Sequence, residues 1–315
     1  MSSVLVTGGT GSFGQAFIRH LLAGDVDRVV VYSRDELKQH QMRSDGLTDP
    51  RLRYFIGDVR DRDRLRRAMT GIGTVVHAAA LKQVDTCERD PLEAVKTNVD
   101  GTANVIDAAL DAGVRRVLML GTDKACDPTN LYGATKLVAE KLIVDANAYS
   151  GERGTMFSST RYGNVISSRG SVLPLFQAQH ARGETLTVTD PLMTRFVLTL
   201  AQGVAFVADC LEVMCGGEVF VPKLAAVTVQ TIAEAVGAPF RVVGTRPGEK
   251  HHELLVSHNE SGRTLDRGWH YLIQPLAFPR DISWDGDPMP AGVAYGSDTT
   301  ETLTVAEFRK LAGIA

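Results

Sequence analysis

Residues 4–14, "VLVTGGTGSFG", decide the fold of this 315-residue chain. A short β-branched run enters a glycine-rich turn, and the next stretch repeats its apolar residues at helical spacing until Gly24. In this context the first glycine permits a tight turn, the second lets the backbone approach a pyrophosphate, and the third allows close helix–strand packing. The stretch therefore predicts a dinucleotide site with the phosphates at the helix N-terminus. Its residues are Gly8, Gly11, Ser12, Phe13 and Gly14.

The first half of the chain alternates β-branched runs with helix-length amphipathic stretches, which is typical of βαβ units. The predicted fold class is α/β, with a doubly wound, Rossmann-type parallel sheet. After about residue 165 the segments shorten between Gly and Pro breaks, which favours a smaller C-terminal lobe over the strand ends. We predict a dinucleotide-binding domain with the catalytic residues at 1–165 and a mainly substrate-binding lobe, interleaved with the Rossmann core, at 166–315. The predicted strands are Val4–Thr7, Arg28–Tyr32, Leu52–Ile56, Thr74–His77, Val117–Leu120 and Thr155–Ser159.

Composition bounds the class of protein. The formal net charge of -3 gives no electrostatic reason to expect a nucleic-acid or membrane partner. No apolar run reaches the roughly 18 residues that span a bilayer, and the N-terminus lacks the features of a signal peptide. The four cysteines are scattered without a CxxC pair, so we expect a reduced, cytoplasmic protein. "HHELLV" at 251–256 is not a zinc HExxH motif, because Val256 replaces the second His, and we expect no metal.

The end of the second strand, "VVVYSRDELKQ", bears on the choice between NAD and NADP. An acid at this point usually holds the ribose 2′-hydroxyl of NAD, whereas an Arg accommodates the 2′-phosphate of NADP. Ser33, Arg34 and Lys38 therefore favour NADP; the alternative is that Arg34 pairs with a neighbouring acid at the surface. Asp58, after the third strand, is a candidate acceptor for the adenine amino group. Val59 and Ala78, next to the ends of the third and fourth strands, complete the predicted cofactor site.

Proton-handling groups concentrate in "GTDKACDPTNLYGATK", residues 121–136, after an apolar run that reads as a buried strand. Tyr132 and Lys136 lie four apart, so a helix presents both on one face. An ammonium beside a phenol lowers the phenol's pKa from about 10, and the phenolate then takes a proton from a sugar hydroxyl while hydride leaves the carbon. For Asp123 and Lys124 the alternative to a catalytic role is a plain surface ion pair, which stabilises little.

With these motifs the sequence resembles the extended short-chain dehydrogenase/reductase family. It is most similar to the inverting UDP-N-acetylglucosamine 4,6-dehydratases, which make the first intermediate toward pseudaminic acid. Relatives that retain the C5 configuration tend to carry Met at the Tyr132 position, so Tyr132 points to the inverting branch. The resemblance covers nearly the whole chain in blocks that include "TGGTGSFG", "SRDELKQ", "GDVRD", "HAAALKQV", "TDKA", "LYGATKL", "RYGNV", "MTRF" and "RPGEK".

The resemblance implies a chemistry for these residues. Tyr132, with Lys136 and the hydroxyl of Thr122, serves the oxidation of C4, which makes the C5 proton acidic. Lys124 then removes that proton as a general base, for which its pKa must fall, and Asp123 protonates the departing C6 hydroxyl. Hydride returns to C6, so the tightly bound NADP is regenerated in each turnover. UDP-GlcNAc or a related UDP-HexNAc is the implied substrate, with contacts from Lys82, Asn164, Arg195, Arg246 and Glu249.

Two positions depart from the family pattern, and three rival functions stay open. Gly121 stands where relatives usually have Ser, and Cys126 stands where a small or aliphatic residue is expected. A UDP-sugar C4-epimerase shares the oxidation at C4, but it has no need of the Asp123–Lys124 pair. The sequence also admits a retaining 4,6-dehydratase and a non-catalytic NADP-sensing module. The family resemblance further implies a homo-oligomer that pairs through the helices near 91–112 and 130–150.

Overall fold

The computed structural model describes residues 3–151, 154–168, 170–276 and 282–314. Its strands are β1 (Ser3–Thr7), β2 (Arg28–Ser33), β3 (Leu52–Ile56), β4 (Thr74–His77), β5 (Arg116–Leu120), β6 (Met156–Thr160), β7 (Asn164–Val165), β8 (Leu186–Val188), β9 (Thr194–Leu198), β10 (Val219–Pro222), β11 (Ala226–Thr228), β12 (Phe240–Val242), β13 (Leu254–Val256), β14 (Thr264–Asp266), β15 (His270–Ile273), β16 (Asp287–Pro288) and β17 (Tyr295–Gly296). Its α-helices are α1 (Ser12–Leu22), α2 (Glu36–Ser44), α3 (Arg62–Met69), α4 (Val84–Arg89), α5 (Pro91–Val95), α6 (Gly101–Ala112), α7 (Leu131–Asp145), α8 (Val172–Ala181), α9 (Leu200–Val213), α10 (Val229–Val236) and α11 (Val305–Ala312).

The main sheet is parallel from one edge through its centre. Its strand order is β3-β2-β1-β4-β5-β6-β10, followed by the antiparallel strands β15, β14 and β16. The predicted α/β fold with a Rossmann-type sheet is confirmed, and each of the six predicted strands forms within one residue of its expected bounds. The strand order reverses between β1 and β4, and in such sheets the ligand crevice lies at the carboxyl ends of the strands there.

The alternation of side chains along β2 shows why the central strands read as continuous apolar runs. Val29 and Val31 belong to the core cluster that contains Phe17 of α1, whereas Val30 and Tyr32 belong to the cluster on the opposite face. Successive side chains of a strand point to opposite faces, so a sheet covered on both faces buries every residue of its central strands. Helices on both sides thus hold the strand ends in fixed positions around the crevice.

The C-terminal half contributes to the main sheet as well as to smaller ones. β10 pairs with β6, and β15 pairs with β10, so the second half of the chain extends the Rossmann sheet. Smaller sheets also form. One joins β7, β9 and β11, another joins β8 and β12, and another joins β13 and β17. The predicted division at residue 165 stays a prediction, while the pairing of β10 with β6 shows how the two halves interleave.

Candidate active site

A cleft of about 720 Å³ opens at the carboxyl ends of the parallel strands. The predicted cofactor residues and all five predicted catalytic residues line it, together with Lys82, Asn164 and Arg246. A smaller cleft of about 230 Å³ adjoins it, and Lys124, Asn164 and Arg246 lie in the walls of both. Arg195 and Glu249 line the smaller cleft only. The fold therefore gathers the residues that the sequence singled out around one pair of connected cavities.

The glycine-rich turn leaves room for a ligand because its glycines pack tightly on one another. A Cβ added to Gly14 would lie 2.6 Å from the carbonyl oxygen of Gly8 and from the Cα of Gly9. Helix α1 begins at Ser12 without a side-chain cap, and its first residues, Ser12, Phe13 and Gly14, line the cleft. A close backbone approach and unsatisfied N–H groups at a helix N-terminus are what a pyrophosphate needs. The residues present fit a dinucleotide.

Ion pairs occupy the charged groups at the ends of β2 and β3. Arg34 Nη1 lies 3.4 Å from Asp58 Oδ2, and Lys38 Nζ lies 2.7 Å from Asp35 Oδ2. Arg60 holds the same Asp58 carboxylate at 2.7 Å. The Arg34 side chain is 51% exposed, so its pairing with Asp58 is of the weak surface kind. This geometry matches the alternative in which Arg34 pairs with a neighbouring acid at the surface. Binding of a 2′-phosphate by Arg34 stays a prediction.

Thr122 follows β5 and Gly121 and caps a short 3₁₀ turn formed by Asp123–Ala125. The Thr122 hydroxyl donates to Asp123 Oδ1 at 2.9 Å, and Lys124 Nζ donates to the same oxygen at 3.1 Å. The Asp123 side chain is 2% exposed and that of Lys124 is 23% exposed. The two residues are therefore largely enclosed in the cleft wall and do not form a plain surface ion pair.

Helix α7 presents Tyr132 and Lys136 to the same cleft. The side chain of Asn130 caps its N-terminus, and Lys136 Nζ donates to the carbonyl oxygen of Leu120 at 2.8 Å, which fastens the helix to the end of β5. Burial lowers the pKa of Lys136 to about 8 and raises the pKa of Tyr132 to about 12, although a hydrogen bond with Thr122 opposes the latter shift. The expectation that the phenol's pKa falls is therefore wrong for this structure, because burial of the phenol outweighs the charges around it.

The pKa values of Asp123 and Lys124 also correct the sequence analysis. Burial alone would lower the pKa of Lys124, but the carboxylates of Asp123 and Glu253 outweigh it and raise that pKa. Burial raises the pKa of Asp123, the charge of Glu253 adds to this, and Lys124 opposes it. The expected fall in the Lys124 pKa is wrong, because two carboxylates rather than a cation lie beside the amine. A raised pKa at Asp123 suits a general acid.

Glu253 is the site residue that sequence analysis missed. Its Oε1 accepts from Lys124 Nζ at 3.0 Å, and its side chain is 3% exposed. Glu253 lies in the "HHELLV" stretch, which partly resembles a zinc-binding motif and gives no indication of a place in this cleft. The local sequence shows only that a carboxylate stands directly before a buried strand. It does not indicate that this carboxylate contacts Lys124, which lies 129 positions earlier in the chain.

The predicted substrate residues surround the junction of the two clefts. The side chain of Arg195 is 9% exposed; it donates to the Thr194 and His251 carbonyl oxygens and lies 3.6 Å from Glu249 Oε1. The Arg246 backbone N–H donates to Glu249 Oε2 at 3.3 Å. Their guanidinium groups and the Glu249 carboxylate thus stand together beside the smaller cleft, and their roles toward a nucleotide stay predictions.

The two departures from the family pattern have different structural settings. A Cβ at position 121 would overlap the carbonyl oxygen of Thr160, so this backbone admits only glycine there. Cys126 is buried, which raises the pKa of its thiol, and its Sγ lies 3.8 Å from Glu260 Oε2. Gly121 therefore follows from the close approach of β5 and β6, and the donor next to the cleft is Thr122.

Within the described ranges, no three His, Cys, Asp or Glu side chains are arranged to hold a metal ion. Each helix of the described part of the chain is too short or too polar to cross a bilayer.

Comparison with known sequences places the chain among enzymes of nucleotide sugars. The family model described as polysaccharide biosynthesis protein matches residues 4–275. A UDP-N-acetylglucosamine 4,6-dehydratase (inverting) of Campylobacter jejuni is 47% identical over 309 residues, which cover 94% of this chain and 92% of that protein. A UDP-glucose 4-epimerase of Rickettsia akari is 41% identical over 98% of this chain and 94% of its own length.

Solved structures share the whole fold or its larger part. The protein Pen from Bacillus thuringiensis is similar with a TM-score of 0.92 and 36% identity, covering 98% of this chain and 96% of that one. The dTDP-glucose 4,6-dehydratase DesIV of Streptomyces venezuelae, solved with NAD bound, has a TM-score of 0.70 and 27% identity over 79% of this chain and 86% of its own.

Proposed function

The chain belongs to the family of polysaccharide biosynthesis proteins, and from that premise we propose that it is a C5-inverting UDP-N-acetylglucosamine 4,6-dehydratase, a hydro-lyase. The resemblance stated from the motifs is confirmed by the 47% identity with a relative of that name over 94% of the chain. The single observation that carries the proposal is the contact of 3.1 Å between Lys124 Nζ and Asp123 Oδ1 in the cleft that Tyr132 also lines. An oxidation at C4 requires only Tyr132 and its helpers Lys136 and Thr122 among the catalytic residues, whereas a dehydration also needs an acid and a base.

A nicotinamide dinucleotide is the cofactor, and NADP is the proposed form. The turn from Gly8 to Gly14 holds its pyrophosphate, and Ser33, Arg34 and Lys38 lie where the second strand ends, within reach of a 2′-phosphate. When bound, it supplies a hydride acceptor for C4 and a hydride donor for C6. The exposed Arg34 would exchange its partly buried partner Asp58 for the phosphate, with which it could form a charge-assisted contact.

Tyr132 takes the proton of the C4 hydroxyl. Because burial raises its pKa to about 12, the phenol loses its own proton only when positive charge stands beside it. Lys124 lowers the pKa of the phenol in this structure, and we assign a further positive charge to Lys136, whose amine the Leu120 carbonyl oxygen holds in place. The hydroxyl of Thr122 completes this group, since it hydrogen bonds to the phenol and to Asp123.

Asp123 and Lys124 carry out the elimination of water. A proton moves from the Lys124 ammonium to Asp123 across their 3.1 Å contact, which leaves a neutral amine and a neutral carboxyl. The amine removes the C5 proton, now α to a ketone, and the carboxyl protonates the C6 hydroxyl as it departs. The ion pair is thereby restored, so its two members need no outside proton source during the elimination. When C6 is then reduced, C5 needs a proton on the face opposite Lys124, and Tyr132, which holds the proton of the C4 hydroxyl, would supply it.

The smaller cleft takes the nucleotide end of a UDP-sugar, and UDP-GlcNAc is the proposed substrate. Arg195 and Arg246 bind the diphosphate, and Glu249 binds the ribose. Lys82 and Asn164, at the larger cleft and at the junction, contact the sugar and the diphosphate. Lys124 lines both cavities, so a sugar at their junction meets the acid–base pair and the nicotinamide side of the cleft together.

Incubation with UDP-GlcNAc in deuterated water, followed by NMR of the product, tests the proposal. A solvent deuteron at C5, a 6-deoxy group and the L-arabino 4-keto configuration are expected. The C4 hydrogen should be found at C6. A D-xylo product in the first turnovers would place the chain with the retaining enzymes.

The epimerase is the second candidate, because a relative 41% identical over 98% of the chain carries that name. A C4 epimer without deuterium at C5 or loss of oxygen at C6 would decide for it. The Asp123–Lys124 contact favours the dehydratase, since epimerisation at C4 leaves C5 and C6 untouched.

We also propose a homo-oligomer and retain the cytoplasmic location as a prediction. Leu92 of α5 and Val138 of α7 are 71% and 46% exposed, and Tyr149 beyond α7 is 67% exposed. Large apolar side chains on these helices support pairing through the predicted segments. Light scattering of the purified protein should give a mass of at least twice 34.0 kDa.

A further inference from the structure

Glu253 reaches the acid–base pair from a part of the chain that the proposed mechanism does not use. It directly precedes β13, and its backbone is held on both sides by Ser297: the N–H donates to Ser297 Oγ at 2.9 Å, and the carbonyl accepts from the Ser297 N–H at 2.9 Å. Ser297 is fully buried. The carboxylate is therefore delivered to Lys124 from a rigid support.

Two carboxylates share the Lys124 amine. Nζ donates to Glu253 Oε1 at 3.0 Å and to Asp123 Oδ1 at 3.1 Å, so two of its three ammonium hydrogens are in use. The remaining oxygens, Glu253 Oε2 and Asp123 Oδ2, are buried and have no hydrogen-bond partner among the described residues. A buried carboxylate oxygen without a partner is unfavourable, and protonation of one of the two carboxylates relieves this cost at that group.

We propose, on the basis of the proposed dehydratase function, that Glu253 is a positioning residue that holds the Lys124 amine against Asp123 and controls which of the three groups carries the proton. The productive arrangement is a neutral Lys124, a protonated Asp123 and an ionised Glu253. In it the Glu253 carboxylate accepts an N–H of the neutral amine and keeps the nitrogen in place for C5.

The charges around the three groups support this assignment. Burial would raise the pKa of Glu253, but Lys124, Arg195 and Lys250 outweigh it and lower that pKa. Glu253 thus stays ionised, and its charge raises the pKa of both Asp123 and Lys124. The charged and titratable groups facing the cluster are Asp123 and Lys124 after β5, Tyr132 of α7, Arg195 of β9, and Glu249, Lys250 and Glu253 before β13.

The variant E253Q keeps the shape and an acceptor oxygen but removes the charge. Asp123 and Lys124 titrate together, so the acidic and basic limbs of the pH profile of kcat report two pKa values of the pair and not of either residue alone. Loss of a negative charge in contact with the pair lowers both pKa values, and a charge at this distance shifts a pKa by about 1–3 units. Both limbs should therefore move to lower pH by about one unit or more. A structural role alone would lower kcat without moving them.

The matched control is E260Q. Glu260 lies seven positions further along, and its carboxylate pairs with Arg161 instead of Lys124. Its substitution should lower stability and leave both limbs of the pH profile in place. Limbs that stay at the wild-type pH in E253Q, or that move equally in E260Q, would overturn the proposal.

E253D tests the positioning separately and stands in if E253Q does not fold. It keeps the charge but withdraws the carboxylate by about one carbon–carbon bond, 1.5 Å. A misplacement of this size should lower kcat by about 10- to 100-fold. A folded E253D with wild-type kcat would show that the contact does not position Lys124.

An NMR titration that needs no catalytic turnover tests the role of Glu253 independently of the proposed dehydratase activity. In protein carrying isotope-labelled lysine, the Lys124 resonance is assigned by its absence from Lys124→Arg. It should titrate at lower pH in E253Q than in the wild type, whichever sugar nucleotide is the substrate. Identical titration overturns the role of Glu253, whereas a wild-type protein inert toward UDP-GlcNAc overturns only the dehydratase proposal.

Discussion

Replacing Arg161 with Met should destabilise the protein strongly, because Arg161 joins the helix of the Tyr132–Lys136 pair to the C-terminal half. Arg161 directly follows β6, and its guanidinium binds Glu140 of α7 at 2.6 and 2.7 Å. It binds Glu260, beyond β13, through two contacts of 2.8 Å, and it donates to the Leu255 carbonyl oxygen at 3.1 Å. The side chains of Arg161 and Glu140 are each 1% exposed.

The magnitude follows from the charge that the substitution leaves behind. Met fills similar space, but among the described residues the buried Glu140 then has only Lys141 within ion-pair distance, with its Nζ 4.0 Å away on a half-exposed side chain. Removing one partner of a buried ion pair costs about 3–5 kcal/mol. With about 2.1 cal/mol/K of unfolding entropy per residue over 315 residues, or about 0.66 kcal/mol/K, Tm should fall by about 5–8 °C.

Thermal unfolding followed by circular dichroism measures this fall, and Arg62→Met is the matched control. Arg62 is 52% exposed and also has two carboxylate partners, Asp107 and Asp111, each at 3.3 Å. Exposed pairs contribute about 0.2–1 kcal/mol each, so loss of both should change Tm of the control by no more than about 3 °C. If the Arg161→Met protein had the same Tm as the Arg62→Met control, the reasoning would be refuted.

Four further predictions concern the site and its support. Arg34→Ala should weaken NADP binding by about tenfold or more relative to NAD binding, because a charge-assisted bond to the 2′-phosphate is lost. Titration of each cofactor measures this change. A wild-type protein that binds NAD tenfold more tightly than NADP would contradict the NADP assignment. Lys124→Ala should lower 4-keto-6-deoxy product formation by about 10²–10⁴-fold while cofactor affinity is unchanged, and a near wild-type rate would remove Lys124 from the mechanism. Gly121→Ser should lower stability by about 1–3 kcal/mol in denaturant titrations, because the added side chain overlaps neighbouring backbone; equal stability would show that the backbone yields. Burial opposes the shift, but hydrogen bonds from Arg161 lower the pKa of Glu260 from 4.5 to about 2. Its contribution to stability is complete above pH 4.5 and is lost as the pH falls through 2, so wild type should lose stability in that window and R161M should lose less.

Local spacing was enough to predict the fold and most of the site. The strand–turn–helix pattern around Gly14 requires only neighbours within a few residues, and the structure packs that glycine against Gly8 as the spacing demands. Tyr132 and Lys136 share a helix face because they are four apart. Such features depend on backbone geometry over one or two turns, which the order of residue types determines.

The signs of the pKa shifts required the tertiary structure. The sequence shows that Lys124 follows Asp123, but not that Glu253 lies 3.0 Å from its amine. Nor does it show that the Tyr132 phenol is buried deeply enough for desolvation to outweigh nearby cations. Electrostatic energies depend on distance through space and on exclusion of water, and neither is a property of neighbours along the chain.

The sequence by itself therefore determined which strands form, where the glycine-rich turn lies and which five titratable or hydroxyl side chains line the cleft. The tertiary structure decided what those groups are paired with. Glu253 meets Lys124 across 129 positions and Arg161 meets Glu260 across 99 positions, only because strands of the C-terminal half pack on the Rossmann sheet. Long-range contacts of this kind arise from burial of apolar surface across the whole chain, which leaves no periodic or local trace in the sequence.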